Sequence, residues 1–416
     1  MPNLPDKTKC CGCAACVDTC KHDALSLVED CNGFYNIKID TSKCVDCKLC
    51  EKRCHVLRQD KVKRHNPKNA ATFAGWSTDE KLIRKSATGG IFAQVACCML
   101  SGGNTTVYGA ALMDDSSVKH IGITSIDDLY KLQNSKYQQS YTVGVYRNVL
   151  HDLKNGRRVL FSGVPCQIAA LYAFLNYKEE LLQNLFTIEV LCHGVPTNVL
   201  HRLAIHKNHA LGIKAYRNKE EGKGWLYGKN NRLSYEMSDG KIKMMQNRRE
   251  DFLFRSYLTF SFTRLSCYQC LYSDIRRVSD MTIGDFWHFQ DSPNKGKYEN
   301  LMGSSIIIAN SEKGKNMVAA CQNLNIVPVE WKEFLPYNQN LFMPTNKYLF
   351  KGAAYVHLIR KIPVSLQTVI YQNGFTNAFL DRLFQKFIRK ILKKRFIGKE
   401  NELKKMIDKT LKYLEL

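Results

Sequence analysis

The sequence predicts three parts in series: a small α+β module over residues 1–57, an α/β domain over 70–350, and a basic helical tail over 351–416. Three observations carry this. Two cysteine runs of identical spacing lie in the first 54 residues. Strand–turn–helix patterns recur from about Ala70, and late in the chain an apolar pair returns every four residues. Serial strand–turn–helix units argue for an α/β domain with a substantially parallel sheet. The polar stretch 58–69, RQDKVKRHNPKN, reads as a linker.

The first run places Cys10, Cys13, Cys16 and Cys20 in C-x2-C-x2-C-x3-C, and Cys44, Cys47, Cys50 and Cys54 repeat it. This is the ligand pattern of a bacterial-type ferredoxin with two [4Fe-4S] clusters. Two-residue gaps wrap a tight loop around a cubane, so three sulfurs of one loop reach three irons. The fourth cysteine crosses to the other cluster. By that rule Cys10, Cys13, Cys16 and Cys54 hold one cluster, and Cys44, Cys47, Cys50 and Cys20 hold the other. C-x2-C pairs also suit zinc, but two identical four-cysteine runs in tandem favour iron. Such a run commonly ends in Cys-Pro; here Lys21 and His55 follow the fourth cysteines. Without Pro the loop gains backbone N–H groups that can reach sulfur, which bears on potential and leaves ligation alone. Cys11 and Cys31 fall outside the register and are left unassigned.

The 17 cysteines cluster at short spacings and do not spread as a disulfide framework. The start, MPNLPDKTKC, has no apolar leader, and no apolar run reaches about 18 residues. A reducing, cytoplasmic setting is expected. The formal charge of +23 overstates the loaded protein, because each oxidised cubane with its thiolates carries about −2. The excess points to an acidic partner: a phosphorylated cofactor or an anionic membrane surface. Nucleic acid is not expected, since no binding motif appears and the basic residues scatter outside the tail.

From Ala70, AATFAGWS reads as a strand, SATGGIF as a Gly pair opening a helix over Ile91–Leu100, and NTTVYGAALM as a second strand. Arg157–Ser162 is a strand, GVPC a turn and Gln167–Leu175 a helix. Leu185–Leu191, CHGVP and Asn198–Asn208 repeat that order. Trp225–Gln246 reads as a hairpin around Asp239-Gly240. Met281–Phe286 and Ser304–Ala309 are further strands. In the tail, Phe379/Leu380, Leu383/Phe384, Phe387/Ile388 and Ile391/Leu392 fall on one helix face. Residues 381–416 hold twelve Lys and Arg against five Asp and Glu, a net of +7. Such a helix packs on protein or lies as a peripheral anchor on anionic lipid.

A second cysteine set occupies turns of the α/β domain: Cys166, Cys192, and Cys267 with Cys270 in C-x2-C. Cys166 and Cys192 lie at strand-to-helix turns, where outward N–H groups stabilise thiolates. The four can complete a tetrahedral ligand set. Spacing alone leaves open inert core cysteines, or Cys166 as a nucleophile with His193 as base. Cys97, Cys98 and Cys321 are expected to pack.

The segment from about Ala70 to Phe350 resembles the β subunits of coenzyme F420-reducing hydrogenases and F420-dependent dehydrogenases. SATGGIF, NSKYQQS, FSGVPCQIAAL, EVLCHGVP, SCYQC and MTIGDFW carry the likeness. Members of that family are iron–sulfur flavoproteins. The resemblance implies FAD and a third [4Fe-4S] cluster on Cys166, Cys192, Cys267 and Cys270, with electrons exchanged with a deazaflavin, coenzyme F420, or another hydride carrier. On chemical grounds Gly89 and Gly90 suit close approach of a pyrophosphate. Ser86 and Thr88 add hydroxyl donors. Ser135, Lys136 and Tyr137 are candidate flavin contacts, Lys136 as the positive partner. His193 and Asp285 are candidates for handling protons.

The expected activity is that of an iron–sulfur flavoprotein oxidoreductase, working with a redox partner protein or a small hydride carrier. Alternatives are a ferredoxin-dependent reductase in surface-polysaccharide metabolism, a non-catalytic electron-transfer subunit, and a zinc-based nucleic-acid binder. Metal analysis of anaerobically isolated protein should give about twelve irons per chain with one flavin; a colourless preparation containing only zinc would exclude this reading.

Overall fold

The computed structural model describes residues 1–218, 232–245, 253–254, 257, 263–292, 294–345 and 405–414. The N-terminal module contains α1 (Ala15–Thr19), an antiparallel pair β1 (Leu25–Glu29) and β2 (Tyr35–Ile39), and α2 (Leu49–Lys52). The cysteine repeat is also a backbone repeat. Ala14 and Lys48, each between the second and third cysteine of its run, both adopt the left-handed region, φ 62° and 59°, at the start of α1 and α2. Few side chains favour that region, so the tight loop imposes it. Ala14, Val17, Leu25, Leu27 and Cys50 form the module's small core, on which Tyr141 and Val143 of the second domain also pack.

The second domain is built on an eight-stranded sheet. Its strands are β3 (Ala71–Ser77), β4 (Thr105–Leu112), β5 (Val118–Ile123), β6 (Arg158–Gly163), β7 (Leu185–Val190), β11 (Met281–Asp285), β12 (Ser305–Ala309) and β13 (Leu324–Pro328). Their order is β13-β3-β12-β11-β7-β6-β4-β5. The expectation of a substantially parallel sheet needs correction. β4, β6, β7 and β11 are mutually parallel, but antiparallel pairings flank them on both sides. The hairpin β4–β5 closes one edge. β12 and β13 each run antiparallel to β3, which lies between them, and a helix over Glu312–Ala320 joins β12 to β13.

Helices α3 (Glu80–Lys85) and α4 (Ile91–Ser101) lie on one side of the sheet, with α5 (Val145–Lys154), α6 (Pro165–Phe174) and α7 (Glu179–Leu182) on the other. Alternation decides which side chain meets which layer. Leu160 packs with Val95, Met99 and Ile188, whereas Val159 and Phe161 pack with Tyr146, Val149 and Ile168. In β12, Ile307 joins the first layer; Ile306 and Ile308 face Phe286, Phe334 and Leu341. Strands covered on both faces read as unbroken apolar runs. Cys97, Cys98 and Cys321 pack in the first of these layers.

A three-stranded antiparallel sheet, β8 (Ala210–Asn218), β9 (Arg232–Met237) and β10 (Ile242–Met244), packs beside α8 (Asn198–Lys207). The expected hairpin is therefore seen from Arg232 to Met244, its turn made by Gly240 at φ 76°; residues 225–231 and 246 lie outside the described residues. So does the apolar repeat from Phe379 to Leu392. The chain end, a helix over 405–414, sets Leu411 and Leu414 against the core around Phe334. Among the described residues, no helix is long and apolar enough to cross a membrane.

The module docks on the second domain through its backbone. Arg264 Nε donates to Cys10 O at 2.9 Å, Gln139 Nε2 to Cys11 O and Gly12 O at 3.1 Å each, and Thr142 Oγ1 to Cys13 O at 2.8 Å. Gly12, at φ 66°, admits this approach: a Cβ there would stand 2.8 Å from Tyr35 O and 2.9 Å from Gln139 Nε2. Asp18, buried on α1, accepts from Gly144 N at 2.6 Å and Tyr146 N at 3.1 Å, so a carboxylate of the module caps α5 of the domain. Burial is the largest influence on this carboxyl and raises its pKa; the Gly144 N–H and Arg147 act in the opposite direction. Asp18→Ala leaves buried N–H donors at the start of α5. It should lower unfolding stability by about 1–3 kcal/mol in denaturant titration, with Asp18→Asn losing less.

Candidate functional site

A cavity of about 1000 Å³ opens at the carboxyl ends of the parallel strands. This is where α/β sheets commonly bind ligands. Ala110, Ser162, Val190 and Asp285 mark the strand ends that border it. Gly90 and Ile91 contribute the start of α4, Asn134–Gln138 one wall, and Leu191–Pro196 another. Tyr337 stacks on His288 at 4.6 Å near one rim.

The residues singled out from sequence converge here with one exception. Ser86, Thr88, Gly90, Ser135, Lys136, Tyr137, His193 and Asp285 all line the cavity. Gly89 does not. Its N–H donates to Ser305 Oγ at 3.1 Å, and a Cβ would lie 2.5 Å from Gly75 O. The first glycine of the pair thus lets α4 approach the sheet, while Gly90, at φ 78°, begins the helix and faces the cavity. Ser86 Oγ donates to Leu82 O at 2.8 Å and accepts from Gln133 Nε2 at 3.1 Å. Ser135 N is bonded to Asn134 Oδ1, and Tyr137 stands among Tyr216, Phe254 and Tyr257. His193 is a cavity residue whose carbonyl accepts from Thr345 Oγ1 at 3.0 Å; burial depresses its imidazole pKa, Asp285 partly opposing.

Asp285 is engaged within the protein. It accepts from Thr88 Oγ1 and from Arg217 Nη1, the latter at 3.1 and 3.3 Å. Arg217 comes from β8 and its side chain is only 4% exposed, so this cation sits inside the cavity wall. The sequence reading missed it, because the strand ALGIKAYRN also carries Lys214 and no local signal sets Arg217 apart. It also missed His120. That ring bonds Ser140 Oγ at 2.8 Å and Ser162 O at 2.9 Å, and burial depresses its pKa to about 4.

Cys192 belongs to the cavity wall, and the other three cysteines of its set gather behind it. Cys166 senses Cys192 and Cys270, and Cys267 senses both Cys192 and Cys270. Burial pushes the Cys192 thiol up to about 12 and drives Cys267 higher; Cys166 rises chiefly through its hydrogen bond with Cys11 and then by burial. Backbone N–H groups aim at sulfur: Gly194 N to Cys192 Sγ and Tyr272 N to Cys270 Sγ, each at 3.4 Å. Converging thiols, raised in pKa at Cys166, Cys192 and Cys267 and reached by N–H groups at Cys192 and Cys270, suit a cationic metal centre, which would make a group of neighbouring thiolates tolerable.

The same holds in the module. Cys16 rises by burial first and then through Cys10, Cys54 and Cys50. Cys54 rises to about 11 by burial, with Val56 and Leu57 N–H groups working against it. Cys20, Cys44, Cys47 and Cys50 line one small separate cavity. Cys20 of the first run thus stands with three cysteines of the second. Cys11 is no bystander: its sulfur, that of Cys13 and a His55 nitrogen lie within 4.8 Å of one another.

A mixed α/β sheet with a cysteine-backed cavity, joined to a module of paired four-cysteine runs, defines a cysteine-rich α/β protein. The family resemblance is shown over one segment. Residues 156–331, which include Cys166, Cys192, Cys267 and Cys270, match the family described as the C terminus of the beta subunit of coenzyme F420 hydrogenase/dehydrogenase. An uncharacterized ferredoxin from Methanocaldococcus jannaschii is 41% identical over 51 residues, 12% of this chain and 65% of the relative. The chain thus matches just under two thirds of that ferredoxin's length. Among solved structures, a chain of the F420-reducing [NiFe] hydrogenase complex from Methanosarcina barkeri aligns with a TM-score of 0.45 and 16% identity, covering 72% of this chain and 91% of that one.

Lys136 gives the cavity its titratable cation. Its Nζ donates to Gln133 O at 2.6 Å, and burial lowers its pKa to about 7. It is charged below that pH and neutral above it, so the wall favours anions on the acid side. Competitive amine labelling read by mass spectrometry should show Lys136 becoming reactive through pH 7, about three units before an ordinary lysine.

Proposed function

We propose that this chain is an iron–sulfur oxidoreductase that moves electrons between a hydride carrier at an FAD in the cavity and three [4Fe-4S] clusters. The carrying observation is that Cys192 is at once a wall of the cavity and a neighbour of Cys166, Cys267 and Cys270. A ligand in the cavity therefore sits beside those thiols. In this reading residues 1–57 form a two-cluster ferredoxin domain, 58–69 a linker, 70–350 the flavin and iron–sulfur domain, and 351–416 a basic tail. Cys10, Cys13, Cys16 and Cys54 hold one outer cluster, Cys20, Cys44, Cys47 and Cys50 the other, and Cys166, Cys192, Cys267 and Cys270 the inner one.

A bound flavin supplies the exchange between two-electron and one-electron chemistry. The protein's part is placement, charge and exclusion of water. Gly90 at the start of α4, with Ser86 and Thr88 beside it, suits the phosphates. Lys136 offers positive charge to an electron-rich ring edge or a phosphate. The Arg217–Asp285 pair fixes a second cation in the wall and keeps Asp285 oriented by Thr88. His193, next to Cys192, is the proton-handling candidate, with its pKa lowered by burial so that it is neutral and able to accept. Coenzyme F420 or another hydride carrier is the substrate class, and a redox protein the partner of the outer clusters.

The anaerobic visible spectrum should show flavin bands over broad iron–sulfur absorbance, and reduced deazaflavin or NAD(P)H should bleach the flavin bands. Cys192→Ala should remove about four irons and leave about eight. Cluster reduction only by another protein, with no bleaching by any hydride donor, would make the chain a carrier. Absence of iron and flavin after reconstitution would overturn the proposal.

A further inference from the structure

His120 lies in the cavity wall but takes no part in the function proposed above. It sits on β5 and is 5% exposed. The loop after Tyr137 runs alongside it. His120 N donates to Tyr141 O at 2.9 Å and Tyr141 N to Val118 O at 2.8 Å, a short parallel pairing at the edge of the sheet. That pairing sets Ser140 against the imidazole. Nδ1 bonds Ser140 Oγ, Nε2 bonds Ser162 O, and the ring stacks on Phe161 with centroids 5.4 Å apart. Ser140 Oγ also meets Gln167 Nε2 at 2.9 Å, and Gln167 Oε1 meets Val164 N at 3.1 Å. Ser140, Ser162 and Gln167 line the same cavity.

Both ends of this network are groups with a single role. Ser162 O is a carbonyl and accepts, so the imidazole carries a proton on Nε2. Val164 N–H donates, so Gln167 turns its oxygen to Val164 and an amide N–H to Ser140. Burial depresses the His120 pKa to about 4, which leaves the ring neutral and Nδ1 an acceptor. Ser140 Oγ therefore accepts from Gln167 and gives its one proton to Nδ1. All four bonds agree on this arrangement. With both ring nitrogens engaged, His120 is not placed to exchange a proton with a ligand. Among the bonds of the described residues, one lone pair of Ser140 Oγ and the second N–H of Gln167 Nε2 are left over. An uncharged acceptor beside an uncharged donor complements a lactam, an N–H next to a carbonyl. The network itself has no charge to offer a phosphate.

We propose that Ser140 and Gln167 form the subsite for the lactam edge of a bound ring, a pyrimidinedione of the flavin or deazaflavin type, and that His120 is the positioning residue that aims the Ser140 hydroxyl. The inference rests on the proposed function and names the part of the cavity that takes the ring. Ser140 Oγ accepts from the ring N–H, and Gln167 Nε2 donates to the neighbouring carbonyl. No covalent bond forms or breaks and no proton changes owner. Gln167 follows Cys166 on α6, which ties this subsite to the inner cysteine set. Buried, fully satisfied networks of this kind hold their members in one orientation.

The test is a pair of equilibrium titrations of the iron-loaded full-length protein, read by quenching of ring fluorescence. FAD and 3-methyl-FAD, which lacks the ring N–H, are added to flavin-depleted protein. In the second arm 5-deazariboflavin and its 3-methyl derivative are added to FAD-loaded protein. In at least one arm the wild type should prefer the unmethylated ring by about tenfold, the range of one hydrogen bond. Ser140→Ala should lose most of that preference, and Ser140→Thr, which keeps the hydroxyl, should retain it. His120→Phe keeps a ring on Phe161 and removes both nitrogens. It should lower the preference by less, and it provides the test if Ser140→Ala does not fold. A merely structural role would weaken both ligands of a pair alike and leave their ratio unchanged. Preference in the FAD arm assigns the subsite to the flavin; preference in the deazaflavin arm only assigns it to the hydride carrier. Equal binding of methylated and unmethylated rings in both arms, or a preference unchanged in Ser140→Ala, would overturn the inference and leave the proposed function intact. A wild-type chain that binds neither ring would defeat both.

Discussion

The structure depends on the seam between the cysteine module and the sheet domain. Four consecutive carbonyls of the first cysteine loop, Cys10 to Cys13, accept hydrogen bonds from Arg264, Gln139 and Thr142 of the larger domain. A loop of left-handed turns has no helix or strand to satisfy its own backbone. Buried carbonyls without partners would be costly, so another element must supply the donors. Asp18 acts in the other direction by capping α5. Further along, Asn198 N donates to Gly33 O at 3.0 Å, and Glu29 accepts from Asn198 and Arg202 at the start of α8. The module is thereby held in register with the second cysteine set.

Thiol chemistry sets the energetic terms. Burial raises the pKa values of Cys16, Cys54, Cys192 and Cys267, which opposes ionisation in the metal-free protein. A metal centre bound at each set would reverse that preference, and its binding free energy would become folding free energy. The large cavity follows the same logic of placement. Cationic Arg217 and the titratable Lys136 stand in its wall, and Cys192 connects that wall to the other sulfurs of its set.

Much of this was readable before any coordinates. The strands at 71–77, 105–112, 158–163, 185–190 and 305–309 were expected to within a residue or two at each end, because apolar runs bounded by Gly, Pro and Asn leave few alternatives. Ser86, Thr88, Gly90 and Lys136 were singled out on phosphate and charge chemistry within family-like motifs, and only His193 for following a strand end; all five line the cavity. Gly89 shows the limit of that reasoning. A Gly pair before a helix looks like two ligand contacts, but whether the missing Cβ faces a ligand or the sheet is decided by the neighbouring strand, here Gly75 and Ser305. Sheet polarity was likewise hidden, since an apolar strand reads the same in either direction.

The sequence by itself determined the cysteine spacing, and with it which sulfurs can share a loop, because a two-residue gap admits few backbone paths. It also determined the faces of the strands, since side chains alternate regardless of what covers them. Only the tertiary structure decided which loops meet. Arg217 reaches Asp285 across 68 residues and His55 reaches Tyr272 across 217. No local pattern encodes such pairs. They arise because the three-stranded sheet packs so that Arg217 of β8 meets Asp285 at the end of β11, and because the docked module lays His55 against the loop that carries Cys267 and Cys270.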